Sequence, residues 1–265
     1  YFVANKLAKG FIGTPHVDTN SRLCMSAAVA AHKRAFGEDC VPGCYEDLEL
    51  ADLLVLAGSN AAWAHPVLYQ RMPASQRAGR RVVVIDPRRT ATAELADLHL
   101  KLKPGTDTVL FNGLLVWLTQ HEATDQSYIA EHCSGFAETL FCAQEVAPSV
   151  TSVAAQCDLD EDDVERFYRW YADTPRTVTA FSQGINQAVT GTDKCNAIIN
   201  CHLATGRVGQ PGASPFSLTG QPNAMGGREV GGLANTLAAH MEYDTAGARE
   251  RLAGFWGTDR LPEAP

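Results

Sequence analysis

The sequence predicts an α/β fold: a mostly parallel open sheet with flanking helices, followed by a long glycine-rich loop segment. Three observations predict it. Short apolar runs recur, each closed by a turn-forming residue. Segments with helical spacing separate these runs, which is the rhythm of strands joined by helical crossovers. From residue 206 onward glycine and proline dominate and apolar periodicity fades.

Asp52-Leu-Leu-Val-Leu-Ala57 is the first strand, ending in Gly58-Ser59-Asn60; a helix follows, with Pro66 near its first turn and Arg77 near its end. Val82–Ile85, closed by Asp86-Pro87, is a continuous β-branched run of the kind buried on both faces of a parallel sheet. Leu98–Leu102 is a third strand. Pro104-Gly105-Thr106-Asp107 then turns into a helix with Leu110, Leu114 and Trp117 on one face. Residues 160–172 predict a helix with an acidic start, Thr177–Phe181 a strand broken by Ser182-Gln183-Gly184, and Asp193–Thr205 a helix whose His202 lies on an apolar face. Residues 206–232 are expected to form a loop rich in glycine because its backbone approaches a ligand, and to be mobile without that ligand.

Composition narrows the function. With 265 residues, 45% hydrophobic, 20% charged and a net charge of −8, the chain is long enough for a substantial core. Its acidity argues against nucleic acid or anionic lipid as a partner. No apolar run approaches the ~20 residues of a membrane helix. The eight cysteines include no Cys-x-x-Cys pair, and a reducing, cytoplasmic compartment is the simplest account of them. Cys40 and Cys44 read as spare thiols in a turn, with a metal or disulfide as the alternative. The chain starts without Met or a signal pattern and ends in an uncapped tail, as a segment of a longer protein would.

The loops after the strands are where an open parallel sheet binds ligands. Gly58, Ser59 and Asn60, then Asp86 and Arg88, then Thr106 and Asp107, then Gln183 and Gln187 all lie at such ends. Backbone amides at Gly58 suit a phosphate, and Asp86 suits a ribose or a base. No Gly-x-Gly-x-x-Gly follows the first strand, so an ordinary NAD site is not indicated. Equally, these turn residues and caps could serve the fold alone. Cys24 stands at the start of an alanine-rich helix closed by Gly37, where the helix dipole favours negative charge; a nucleophile or soft metal ligand fits there, and so does a buried structural cysteine.

Six motifs in register extend this reading. Asn20-Ser-Arg-Leu-Cys24-Met, Gly58-Ser-Asn60 with His65-Pro66, Val84-Ile-Asp86-Pro-Arg88, Pro104-Gly-Thr106-Asp107, Gln183-Gly-Ile-Asn-Gln187 and Gly220-Gln-Pro-Asn-Ala-Met-Gly-Gly-Arg228-Glu-Val span nearly the whole chain. In this order they resemble the molybdenum-bis(molybdopterin guanine dinucleotide) oxidoreductases, and among these most of all the bacterial assimilatory nitrate reductases.

The resemblance implies that Cys24 ligates molybdenum and that Asn20, Gln183 and Gln187 contact the pterin. It implies that Gly58, Ser59, Asn60, Asp86, Arg88, Thr106 and Asp107 contact one guanine dinucleotide. Arg228 matches a substrate-funnel arginine and Met25 would line the pocket; taken without the motifs, Arg228 reads as a solvated surface cation and Met25 as core. A thiolate is a compatible further ligand for a metal already held by sulfur, and a cation can orient nitrate and stabilise charge on departing nitrite. Formate dehydrogenases of this family carry His directly after the metal-ligating residue, and dimethyl sulfoxide and trimethylamine oxide reductases use Ser as the ligand, so Cys24-Met25 favours nitrate. The alternatives are a formate dehydrogenase-like member and a metal-free structural or nucleotide-binding descendant of the scaffold.

The resemblance further implies two molybdopterin guanine dinucleotides, an upstream 4Fe–4S cluster that residues 1–23 do not supply, and an electron donor such as reduced ferredoxin, flavodoxin or an NADH-linked reductase subunit. It predicts residues 1–23 as the edge of a neighbouring domain, 24–205 as a Rossmann-like cofactor-binding domain, and 206–265 as the glycine-rich loop and the start of the next segment. Such a fragment is expected to be inactive in isolation.

Overall fold

A computed structural model describes residues 1–74, 79–221 and 223–265. The predicted helix end at Arg77 and Pro222 of the last motif therefore lie outside the described residues. Contacts divide the chain into two compact units, residues 27–220 and residues 1–26 with 221–265.

The 27–220 unit is built on a five-stranded sheet in the order β3-β2-β1-β4-β5, with every pairing parallel. The strands are β1 (Leu53–Ala57), β2 (Arg81–Ile85), β3 (Leu98–Leu100), β4 (Thr177–Phe181) and β5 (Ser214–Ser217). β1 is central, with Ala57 level with Ile85 of β2 on one side and Phe181 of β4 on the other. Every residue of β1 is buried, as its unbroken apolar run requires.

Alternation along β4 separates the two layers of helices. Val178 and Ala180 join Leu54, Leu56, Val84, Leu68 and Met72 in a cluster under helix Pro66–Ala74. On the other side, Thr179 meets His202 of helix Gly191–Ala204, with Nε2 and Oγ1 2.9 Å apart. Helices Asp107–Gln120 and Glu161–Asp173 belong to the same unit; they meet through Phe111 edge-on to Phe167 and through Tyr168, whose hydroxyl donates to the Leu110 carbonyl at 2.6 Å. Asp160 caps the latter helix by accepting from the Asp162 amide, and Glu161, Asp162 and Asp163 fill its first turn.

The glycine-rich segment holds more regular structure than its composition predicts. Ser214–Ser217 forms edge strand β5, and Ala224–Glu229 forms a short helix. Pro215 is compatible with a strand there because an edge leaves one row of amides unpaired. Likewise Gln183–Asn186, expected only to break β4, forms one helical turn.

The unit of the chain ends is smaller. It contains helix Phe2–Asn5 running into the π-helix Lys6–Ile12, and helix Ala248–Trp256. Leu237, Ala248, Leu252, Trp256 and Leu261 make its apolar cluster. Helix Ser21–Phe36 begins in this unit, ends in the other, and is followed by Gly37 at φ +81°, the left-handed stop its position predicts. Among the described residues no helix is long and apolar enough to cross a membrane.

Candidate functional site

The strand order reverses between β1 and β4, and the loops after these two strands meet at that switch point. Gly58 has φ +55°, and its carbonyl accepts from the Gly184 amide at 3.0 Å. A Cβ on Gly58 would lie 2.8 Å from the Gly184 backbone, and one on Gly184 only 2.6 Å from the Gly58 Cα. Two chain segments 126 positions apart thus need glycine at the same point, which places both at the mouth of a crevice.

That crevice is a cavity of about 620 Å³ lined by Gly58, Asn60, Asp86, Arg88, Asp107 and Gln183 of the predicted set, together with Lys194. Cavities of about 860 and 820 Å³ elsewhere in the unit include none of the predicted residues.

Each side chain at the crevice has a structural reason for its position. The Asn60 Oδ1 accepts from the Thr92 hydroxyl at 2.9 Å, which fixes its amide as a donor. Asp86 is buried; its Oδ1 accepts from the Arg88 amide at 2.8 Å and lies 3.7 Å from the Arg88 Nε. The Asp86 carbonyl is held at 3.0 Å by the His99 ring, and the His65 ring holds the Thr219 carbonyl at 2.8 Å. Asp107 opens helix Asp107–Gln120 and forms a 2.5 Å ion pair with Lys194 of helix Gly191–Ala204, both side chains being buried. Lys194 is not legible as a site residue in the sequence. Its only signal was a lysine beside Cys195 on a face otherwise destined for the core.

The remaining predicted residues are placed differently. Ser59 is 2% exposed, and its Oγ is buried with no partner among the described residues. Thr106 does not line the cavity; its hydroxyl donates to the Lys103 carbonyl at 2.7 Å and closes the turn. Gln187 is exposed, and its amide donates to the Gln183 carbonyl. Asn20, Cys24, Met25 and Arg228 belong to the unit of the chain ends. There Asn20 is exposed, Cys24 is half-buried in the first turn of helix Ser21–Phe36, and Met25 is buried. Arg228 is only 6% exposed, unlike a solvated surface cation, with its Nη2 2.5 Å from the Met225 sulfur. All eight cysteines are free thiols.

His202 is a core residue. Burial, followed by the nearby Arg207 charge, holds its pKa well below the ordinary histidine value.

A switch-point crevice with two facing glycines, a buried acid and nearby cations defines an α/β protein suited to a nucleotide-bearing ligand. The crevice lining, with Asn60, the buried Asp86 carboxylate and the Arg88 and Lys194 cations, fits such a group. The model of the molybdopterin oxidoreductase family matches residues 1–254, and the chain belongs to that family. Membership implies a molybdopterin cofactor. A nitrate reductase of Shewanella frigidimarina is 53% identical over 99% of this chain and 28% of its own length. One from Klebsiella oxytoca is 55% identical over the whole chain and 30% of its own length. The chain thus spans less than a third of these relatives. Acetylene hydratase from Pelobacter acetylenicus shares the fold, with a TM-score of 0.69 at 22% identity over 82% of this chain and 29% of the hydratase chain.

Proposed function

We propose that this chain is the cofactor-holding part of a nitrate reductase. In this reading Gly58, Ser59, Asn60, Asp86, Arg88, Thr106 and Asp107 hold one guanine dinucleotide arm of a molybdenum-bis(molybdopterin guanine dinucleotide) cofactor. Asn20, Gln183 and Gln187 contact its pterin, Cys24 ligates the metal, and Arg228 and Met25 face nitrate. The observation that carries the reading is the cavity at the switch point, which gathers residues from four separate sequence motifs around one crevice. The relatives named nitrate reductase favour nitrate over the family's other substrates.

When bound, the cofactor would supply a two-electron reduction in which nitrate, two protons and two electrons give nitrite and water. The chain's own residues bind and orient. Asp86 accepts hydrogen bonds from the donor groups of a base or ribose, and Arg88 offers charge to a phosphate. Gly58 and Gly184 bring the two loop backbones together at the crevice, and Ser59 would hold the first of these loops beside the dinucleotide. Thr106 and the Asp107–Lys194 pair keep the third loop in place. Arg228 would take nitrate through charge-assisted hydrogen bonds, and Met25 would supply an apolar contact. A 4Fe–4S cluster in another segment and a reduced ferredoxin, flavodoxin or NADH-linked subunit would deliver the electrons. Eight free thiols support a cytoplasmic location.

The test uses the full-length parent protein, with viologen as the redox partner, nitrate and formate as competing substrates, molybdenum quantified, and Cys24→Ala as control. Nitrite formation with stoichiometric molybdenum, both lost in the variant, is the expected result. Molybdenum with formate turnover would place the protein with the formate dehydrogenases instead. No molybdenum, from a host that makes the cofactor, would leave a metal-free descendant.

A further inference from the structure

Lys9 is the most deeply buried charged side chain of the chain-end unit, with no accessible surface. Its Nζ donates to three backbone carbonyls, Gly231 and Leu233 at 2.7 Å and Thr236 at 2.6 Å. One helical turn earlier, the Asn5 amide donates to the Val230 carbonyl. An ammonium has three donors and no acceptor, so it satisfies three converging carbonyls with no donor left over. The sequence between them, Gly231-Gly232-Leu233-Ala234-Asn235-Thr236, has no charge of its own to attract a lysine. This cation is there for the backbone.

The clamped segment begins three residues after Arg228. Gly231 is held from both sides: its carbonyl takes Lys9, and its amide donates to the Arg228 carbonyl at 2.9 Å. The Gly232 amide donates to the Gly227 carbonyl at 2.9 Å, and the Ala239 amide to the Glu229 carbonyl at 2.6 Å. At φ +76°, Gly231 leaves a Cβ only 2.5 Å from the Leu237 carbonyl carbon, so the turn has little slack. Arg22 reaches the same segment through Asn235 at 2.7 Å and is itself paired with Asp18 at 3.0 Å.

We propose that Lys9 is a positioning residue for anion binding: by fixing the carbonyls of residues 231–236, it sets the turn that carries Arg228. The proposal rests on the reading of Arg228 as the nitrate-facing cation.

Titration gives a second handle. Desolvation, opposed by Asp18 and reinforced by Arg22, brings the Lys9 pKa down to about 8. The other titratable neighbour is Tyr243, whose ring lies 6.0 Å away and whose own pKa burial raises, so it stays neutral there. Above pH 8 the neutral amine keeps two donors for three carbonyls. By linkage, the same deprotonation makes folding more favourable as pH rises from about 8 toward 10.5, because the unfolded chain still binds the proton. Stability and anion binding therefore move in opposite directions, which a purely structural lysine would not produce.

The experiment compares the full-length holoenzyme with Lys9→Met in two readouts. Hydrogen exchange should lose protection in peptides covering 227–239, whether or not nitrate is the substrate. In viologen-linked assays the KM for nitrate should rise about tenfold with kcat within about twofold, the size expected for losing one or two positioning hydrogen bonds. The wild-type KM should climb above pH 8, and that limb should vanish in the variant. If Lys9→Met does not fold, the wild-type profile of KM and exchange against pH decides alone. Unchanged exchange in 227–239 would overturn the clamp. Changed exchange with an unchanged, pH-flat KM would make Lys9 structural only. A wild-type holoenzyme with intact exchange protection but no nitrate turnover would overturn the functional reading, and with it the anion-binding role, while leaving the clamp standing.

Discussion

Each of the two units of this chain is stabilised internally, and by different means. In the 27–220 unit, buried apolar strands and two glycines at the switch point set the geometry, and side chains such as Asp86 and Asn60 are fixed by one or two bonds each. In the unit of the chain ends, a small apolar cluster leaves Leu23 84% exposed, and the turn after Arg228 is held by a buried lysine and an asparagine on backbone carbonyls. Apolar packing tolerates adjustment in small steps. A polar clamp fails when a single donor goes. The first unit should thus respond to changes of volume and the second to changes of charge.

The largest effect is expected at the switch point. Gly58→Val adds a branched side chain at φ +55° against the Gly184 backbone. Backbone strain and overpacking each cost about 1–3 kcal/mol, so the sum is ~2–6 kcal/mol. Denaturant unfolding of the full-length protein should show it, along with loss of bound nucleotide. A variant of full stability with retained nucleotide would mean that the glycine pair is not what brings the two loops together.

Much of the first unit was legible because its signals are local. β1, β2 and β4 announce themselves as apolar runs, the helix over 160–172 by its acidic start and Gly37 as a stop, and each needs only its near neighbours to act. β5 was not legible: Ser214-Pro215-Phe216-Ser217 is a strand because β4 offers an edge, which is a fact about the sheet. The same division holds at the site. Asp86, Asn60 and Asp107 could be found by the rule that ligands meet strand ends. Gly184, Lys194 and Lys9 have meaning only through partners 126, 87 and more than 220 positions away. Cys24 and Arg228 stood out through the family motifs, since a lone cysteine and a lone arginine carry little signal.

An effect with a lower ceiling, about 3–5 kcal/mol, is expected when Lys194→Met strands Asp107 as an unpaired buried charge. The pair puts buried charge to structural use inside the apolar unit, as Arg80 does when it donates to the Met72 carbonyl at 3.2 Å. Asp107→Leu together with Lys194→Met should recover most of the lost stability while nucleotide retention stays impaired. If the double variant is as unstable as the single one, the pair holds the helices together through more than charge balance.

The smallest effect separates the units by pH. His202 is kept neutral by burial, so its folded pKa lies well below the unfolded value near 6.5. Below pH 6.5 the unfolded chain binds a proton that the folded chain does not, and stability is lost at up to about 1.4 kcal/mol per pH unit until the folded pKa is reached. Lys9 acts at the other end of the scale, from about pH 8 upward, where the same linkage makes stability rise with pH. His202→Gln retains a polar group opposite Thr179 and removes the titration. Its unfolding free energy should flatten between pH 6.5 and 5 relative to wild type, while hydrogen exchange in residues 227–239 stays unchanged over that range. Acid loosening of 227–239 that disappears with His202→Gln would mean that the two units answer to the same proton, and that the contrast between them is one of composition rather than of independent response.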